Sequence, residues 1–256
     1  MASLFVNAHF GLGDHIIANG MIHYFAEKYD KVYVPHLKMY NKSLTSLYQN
    51  YEKIEPIEFP DIDLNLYGKH LLQEFINKTN SEYLMVGDPY LQYTPIHFLT
   101  SNGFYTKNVC INFERQMYEV AGLHYFYRYN YTKIPKSTTK SLELLKDLSK
   151  NKPYRLVQSS GSGGEYSLDF SNSNNNLHTI KIEPGYTENV FDFYDLIINA
   201  EEIHTIGSFF QPYVDSLHNE TSAKLFYHSI LAKHMSNINS ILNNYRWDII
   251  DYRYKL

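Results

Sequence analysis

Asp14 is the residue in this chain best placed to take a proton from a substrate. It closes the turn Gly11-Leu12-Gly13-Asp14, and the apolar run at residues 4–6 before it reads as a buried β-strand. Gly11 and Gly13 permit positive φ or a close approach of ligand to backbone, and Asp14 stands where a helix N-cap belongs. Ile16, Ile17, Gly20, Met21 and Tyr24 recur at helical spacing behind it, so the segment reads as strand, turn and helix. Such a unit holds a carboxylate in the crevice where open α/β sheets bind ligands and do chemistry. The bland reading is a capping aspartate after a tight turn, and a cap and a base are compatible roles. His9 and His15 flank the turn and are expected to orient a substrate or share a proton.

Three later segments offer groups suited to an anion. Residues 159–164 read Ser-Ser-Gly-Ser-Gly-Gly after a strand, so Ser159, Ser160 and Gly161 supply backbone amides and hydroxyls that suit phosphate oxygens; a surface turn explains the same residues. At Ile206-Gly207-Ser208-Phe209-Phe210 a strand passes into a helix, so Ser208 can cap while the amides of Phe209 and Phe210 face outward. Glu183 follows a late strand and is a candidate for contact with a ribose or a base. Asp61 and Asp63 form a D-x-D pair, but between Pro60 and a helical pattern at Leu64 they suit a helix dipole better than a metal.

Several chemistries are disfavoured by missing motifs. No Gly-Lys-Ser/Thr completes a P-loop, and the third glycine of G-x-G-x-x-G is replaced by Ile17. The twelve histidines form no H-x-x-x-H or H-E-x-x-H pair, and no G-x-S-x-G elbow occurs, so zinc and serine hydrolases are disfavoured. Cys110 is the single cysteine, which rules out an intrachain disulfide and fits a reducing compartment; it reads as a buried hydrophobe. A formal net charge of −4 favours neither nucleic acid nor an anionic membrane as partner. No long apolar run or leader is evident, so a soluble cytoplasmic protein is expected. Twenty-five tyrosines include a cluster within residues 123–131 that could form a sugar-stacking surface, with biased composition as the plainer cause.

The elements that must position these groups alternate. Strands are expected at residues 31–35, 53–59 and 82–87, with helices at 38–50, 64–77 and 112–122 between and after them. A Pro/Ser/Thr-rich, charged stretch then marks a junction, giving an N-terminal domain at 1–135, a linker with a helix at 136–152 and a second α/β domain at 153–256. The second series runs through strands at 154–158, 178–182, 202–206 and 223–227, with a last helix from Asn237. Alternation of this kind predicts an α/β fold with mainly parallel, doubly wound sheets.

The opening Gly11-Leu12-Gly13-Asp14 turn, taken with residues 190–208 and their Ile206-Gly207-Ser208 end, resembles the GT-B glycosyltransferases, in particular their heptosyltransferase and fucosyltransferase-like branches. The resemblance implies two Rossmann-like domains facing a cleft, with acceptor on the N-terminal side and donor nucleotide on the C-terminal side. It implies transfer of a sugar from a nucleotide-sugar to a glycan or other hydroxyl, inverting and metal-independent, with no cofactor besides the donor. Asp14 matches the general base of that scheme, Ser208, Phe209 and Phe210 match its diphosphate-binding helix start, and His9, Gly11, Gly13 and His15 fall on the acceptor side. Arg155 and Arg115 are the candidate arginines for the donor phosphates. A nucleotide-sugar epimerase or hydrolase on the same architecture, or a non-catalytic carbohydrate- or nucleotide-binding protein, remains the alternative.

Overall fold

The run after Ser3 is apolar because both of its faces are covered: Leu4, Phe5 and Val6 are all buried in strand β1 (Ser3–Asn7). The computed structural model describes residues 2–8, 11–59, 69–86, 113–161, 164–183, 185–231 and 246–252. Cys110, His9, Asp61, Asp63 and the helix expected from Asn237 lie outside them. The chain divides into two units, Met1–Lys133 and Ile134–Leu256.

In the first unit β1 is followed by α1 (Leu12–Ala26), β2 (Lys31–Leu37), α2 (Asn41–Tyr48), β3 (Ile54–Phe59), α3 (Lys69–Thr79), β4 (Glu82–Met85), α4 (Phe113–Val120) and α5 (Tyr127–Tyr131). The sheet is wholly parallel in the order β3-β2-β1-β4. Successive strands step outward from β1 to β3, and the chain then returns to the other side of β1, which is the Rossmann-like arrangement. Pro56 is tolerated because β3 is the edge strand. Phe5, Phe59 and Leu72 form one core cluster with Tyr33 and Phe75, so α3 covers one face. The position of α4 against α1 is fixed by Tyr118, whose hydroxyl donates to the Ile17 carbonyl at 2.8 Å and accepts from the Met21 amide at 3.2 Å.

The second unit contains α6 (Thr139–Ser149), β5 (Tyr154–Gln158), β6 (Ser160–Gly161), β7 (Gly164–Glu165), β8 (His178–Lys181), α7 (Tyr194–Ile198), β9 (Glu202–Thr205), α8 (Phe210–Ser216), β10 (Lys224–His228) and β11 (Trp247–Ile250). Its main sheet is parallel, in the order β11-β10-β9-β5-β8. The Ser/Thr cluster before α6 is structured: Thr138 and Ser141 cap each other, and Ser137 donates to Asp195 at 2.6 Å. β11 is fastened by Trp247, whose indole donates to buried Asp215 at 2.7 Å. Both units are thus α/β with mainly parallel sheets. No helix among the described residues is long and apolar enough to cross a membrane.

Candidate functional site

A parallel sheet opens a crevice where the chain reverses its direction across the sheet, at the carboxyl ends of the two strands that flank the reversal. In the first unit those strands are β1 and β4, and in the second they are β5 and β9.

At the first edge, α1 starts earlier than the sequence suggests. Gly11, with φ −75° and ψ 141°, is the N-cap, and its carbonyl accepts the amides of Asp14 at 3.1 Å and His15 at 3.2 Å. Asp14 is therefore the third residue of the helix rather than its cap, a partly buried carboxylate in the first turn where the positive end of the helix dipole favours negative charge. Gly11 and Gly13 are also partly buried. His15 points inward and is buried with no exposed surface, so Asp14 and His15 lie in different environments one residue apart. Asn7 ends β1 at the same edge, and its side-chain amide donates to the Tyr83 hydroxyl of β4 at 3.2 Å. The only mark of Asn7 in the sequence is a lone amide closing an apolar strand.

At the second edge the two glycine-containing loops come together. Gln158 ends β5 opposite Thr205 of β9. Its Oε1 accepts from the Thr205 hydroxyl at 2.9 Å and from the Ser208 hydroxyl at 2.8 Å, and its Nε2 donates to the Ser160 carbonyl. One side chain, 1% exposed, thus joins the segment after β5 to the segment after β9. Gly161 lies over Ile206, so that a Cβ there would sit 3.5 Å from the Ile206 Cδ1. A Cβ at Gly207 would meet the Tyr227 hydroxyl at 2.8 Å, so a side chain there requires the buried Tyr227 ring to shift.

The structure alters the detail of both loops. Ser160 and Gly161 form an antiparallel hairpin with Gly164 and Glu165, and the Ser159 carbonyl accepts the Tyr166 amide at 2.9 Å, so this segment is a shaped hairpin rather than a mobile glycine loop. α8 begins at Phe210, whose amide donates to the Ser208 hydroxyl at 3.3 Å. Phe210 is a core residue with no exposed surface, Phe209 is half-buried at the turn, and Gly207 is exposed.

Glu183 is exposed just beyond β8, beside β5. Lys181, near it at the end of β8, makes an ion pair with Glu165 of the hairpin, and that hydrogen bond raises the lysine pKa. This cation is invisible to sequence reasoning because nothing in a four-residue strand marks its last lysine. The two arginines lie elsewhere. Arg155 is buried near the start of β5, donates to the Asn174 carbonyl and sits 5.1 Å from the Phe170 ring, and Arg115 is exposed on α4 in the first unit. The tyrosines of residues 123–131 are largely engaged with the protein: Tyr127 and Tyr131 stack on each other at 5.3 Å, and Tyr125 donates to buried Glu114 at 2.7 Å.

Among the described residues no three His, Cys, Asp or Glu side chains converge as metal ligands. No protein-family model matches the chain, and no curated protein matches it. A solved structure of the E. coli heptosyltransferase WaaC with ADP-2-deoxy-2-fluoro heptose aligns with it at 7% identity and a TM-score of 0.48, over 98% of this chain and 93% of that one.

Proposed function

We propose that this protein is a sugar transferase that moves a glycosyl group from a nucleotide-sugar to a hydroxyl acceptor, with the donor bound by the second unit and the base supplied by the first. The observation that carries the reading is the Gln158 junction, which fixes two polar loops at the carboxyl edge of a parallel sheet beside an exposed glycine. In that scheme the exposed backbone at Gly207, the amide of Phe209 and the Ser160 hydroxyl receive the diphosphate. Ser159, Gly161 and Phe210 shape the loops behind them, and Glu183 contacts the nucleoside.

Asp14 takes the proton of the acceptor hydroxyl as its oxygen attacks the anomeric carbon from the face opposite the leaving group. The bond from that carbon to the phosphate oxygen breaks, and the electron pair leaves with the nucleoside diphosphate. Preorganised donors at the loops stabilise the charge that develops there, and configuration inverts because displacement is direct. His9, Gly11, Gly13 and His15 belong to the acceptor side of this scheme, the glycines by leaving space at the turn and His15 by packing beneath it.

The test is a thermal-shift screen of the purified chain against GDP, UDP, ADP and CMP and their sugars, with and without EDTA, because a ligand that binds the native state raises its melting temperature. A rise with one nucleoside diphosphate that survives EDTA is the expected result and identifies the donor class. No rise with any nucleotide, together with a rise on glycans, would overturn the transferase reading in favour of a carbohydrate-binding protein. Turnover of a nucleotide-sugar without acceptor would assign an epimerase or hydrolase.

A further inference from the structure

The face of the second sheet that does not carry Gln158 holds a row of buried polar groups outside the candidate site. Arg155 of β5, Glu202 and His204 of β9 and Phe226 and His228 of β10 alternate onto it, and residues 166–177 run across it as an irregular segment. That segment is fastened at four points. Phe170 lies edge-on to His204 with centroids 4.9 Å apart, and Ser173 Oγ is 3.0 Å from His204 Nε2. The Asn174 amide donates to Glu202 Oε1 at 3.0 Å, and the Asp169 amide donates to the Tyr252 hydroxyl at 2.6 Å.

The histidines beneath it form a hydrogen-bonded chain. His204 Nδ1 is 3.0 Å from His228 Nε2, and His228 Nδ1 is 2.9 Å from the Tyr252 hydroxyl. Glu202 Oε2 stands 3.5 Å from His204 Nε2. A proton added to His204 places a charge on a ring that is 1% exposed beneath Phe170 and Ser173, away from the water that would solvate it.

We propose that residues 166–177 are an acid-released strap, set free when the His204–His228 pair takes up a proton. Among the described residues the groups facing the pair are Arg155 from β5, Glu202 from β9, Tyr252 beyond β11, and Asp169 of the strap through its amide. At the rim are Lys181 with Glu165, exposed Asp248 of β11 and exposed Lys224 of β10. Glu202 is the single buried anion of this set; it lies opposite Arg155 in the strand register and accepts from the Asn174 amide. Burial holds His204 at about 4 under the closed strap, whereas an imidazole open to water titrates near 6.5. The closed form therefore weakens as pH falls through the interval between those values, by up to tenfold per pH unit and roughly 80-fold between pH 6.5 and 4. The amide of Tyr166, the first residue of the strap, donates to the Ser159 carbonyl at the base of the β6–β7 hairpin, so release also loosens that hairpin. A consequence for donor binding rests on the transferase reading; the release itself does not.

Native-state hydrogen exchange on the full chain without nucleotide, corrected for intrinsic exchange at each pH, tests the strap. The Asp169 and Asn174 amides report on it, and the Leu156 and Ile203 amides of the sheet serve as reference. The expected result is strap amides that exchange well ahead of the sheet amides at every pH, with a protection that falls roughly 40-fold between pH 6.5 and 4.5 in the wild-type chain and stays flat in His204→Gln, which retains a donor but takes no charge. Strap protection that is flat with pH in the wild-type chain, or strap amides that exchange only as fast as the sheet amides, would overturn the proposal. The wild-type strap protection decides even if the variant does not fold, and a chain that binds no nucleotide leaves the result standing.

Discussion

Asp14 and Gln158 are assigned opposite kinds of work, and substitution separates them. Asp14 is partly buried in a helical turn with the Gly11 carbonyl accepting its amide, so Asp14→Asn keeps the backbone arrangement and removes only the ability to accept a proton. We expect transfer to fall by about 10²–10⁴-fold with the nucleotide-induced thermal shift intact; unchanged turnover would remove the base from the scheme. Gln158→Leu does the reverse. It deprives the Thr205 and Ser208 hydroxyls of their shared acceptor inside a buried site, costing about 1–3 kcal/mol of stability. Because the loops lose their register, the nucleotide shift should weaken along with activity. The place of Asp14 at a helix start was legible in the sequence because a carboxylate that follows a strand and two glycines falls there by local chain geometry, although as the third residue of the helix rather than its cap. Gln158 was not, because its role depends on which strand lies beside β5, and that is a property of topology rather than of neighbouring residues.

Elements are legible where their own residues determine them and obscure where partners do. The apolar runs of β1, β2, β5 and β10 announce buried parallel strands, and the helices between them follow from periodicity. α5 is hidden inside a tyrosine-rich stretch whose helical character comes from packing on α1. The β6–β7 hairpin is hidden by glycines that read equally as a loop, and β11 by its attachment through Trp247 to a distant aspartate. The α1–α5 crossing depends on Gly20: a Cβ there would meet the Tyr127 carbonyl oxygen at 2.5 Å and the Arg128 Cα at 2.9 Å. Both are backbone atoms, and Arg128 is itself held by its ion pair with Glu114, so neither yields without shifting α5. Gly20→Ala should therefore destabilise the first unit by about 1–3 kcal/mol, outweighing the gain from better helix propensity. Urea denaturation followed by a probe in each unit checks this, with the second transition unmoved; a neutral or stabilising substitution would show that the helices are not in such close contact.

The whole chain carries a built-in sensitivity to acid that is divided between its two units. His23 in the first is 4% exposed and is held at about 4, chiefly by burial and secondarily by Lys133, while His204 in the second is held at about 4 by burial. Both folded values lie below the ordinary 6.5, so the unfolded chain binds protons more readily and stability is lost as pH falls from about 6.5 toward 4. Integrated from pH 7 to pH 5, each histidine accounts for about 2 kcal/mol. His23→Gln should blunt the acid response of the first unit alone and His204→Gln that of the second, as seen in denaturation midpoints measured at the two pH values. If either variant removed the response of both units, the histidines would be acting through one cooperative transition, and the division of the chain at residues 133 and 134 would not be a division in stability. Carboxylate titration does not mimic the pattern, because it is common to wild type and variants and cancels in their difference. The comparison therefore isolates two buried imidazoles and places each in its own half of the molecule.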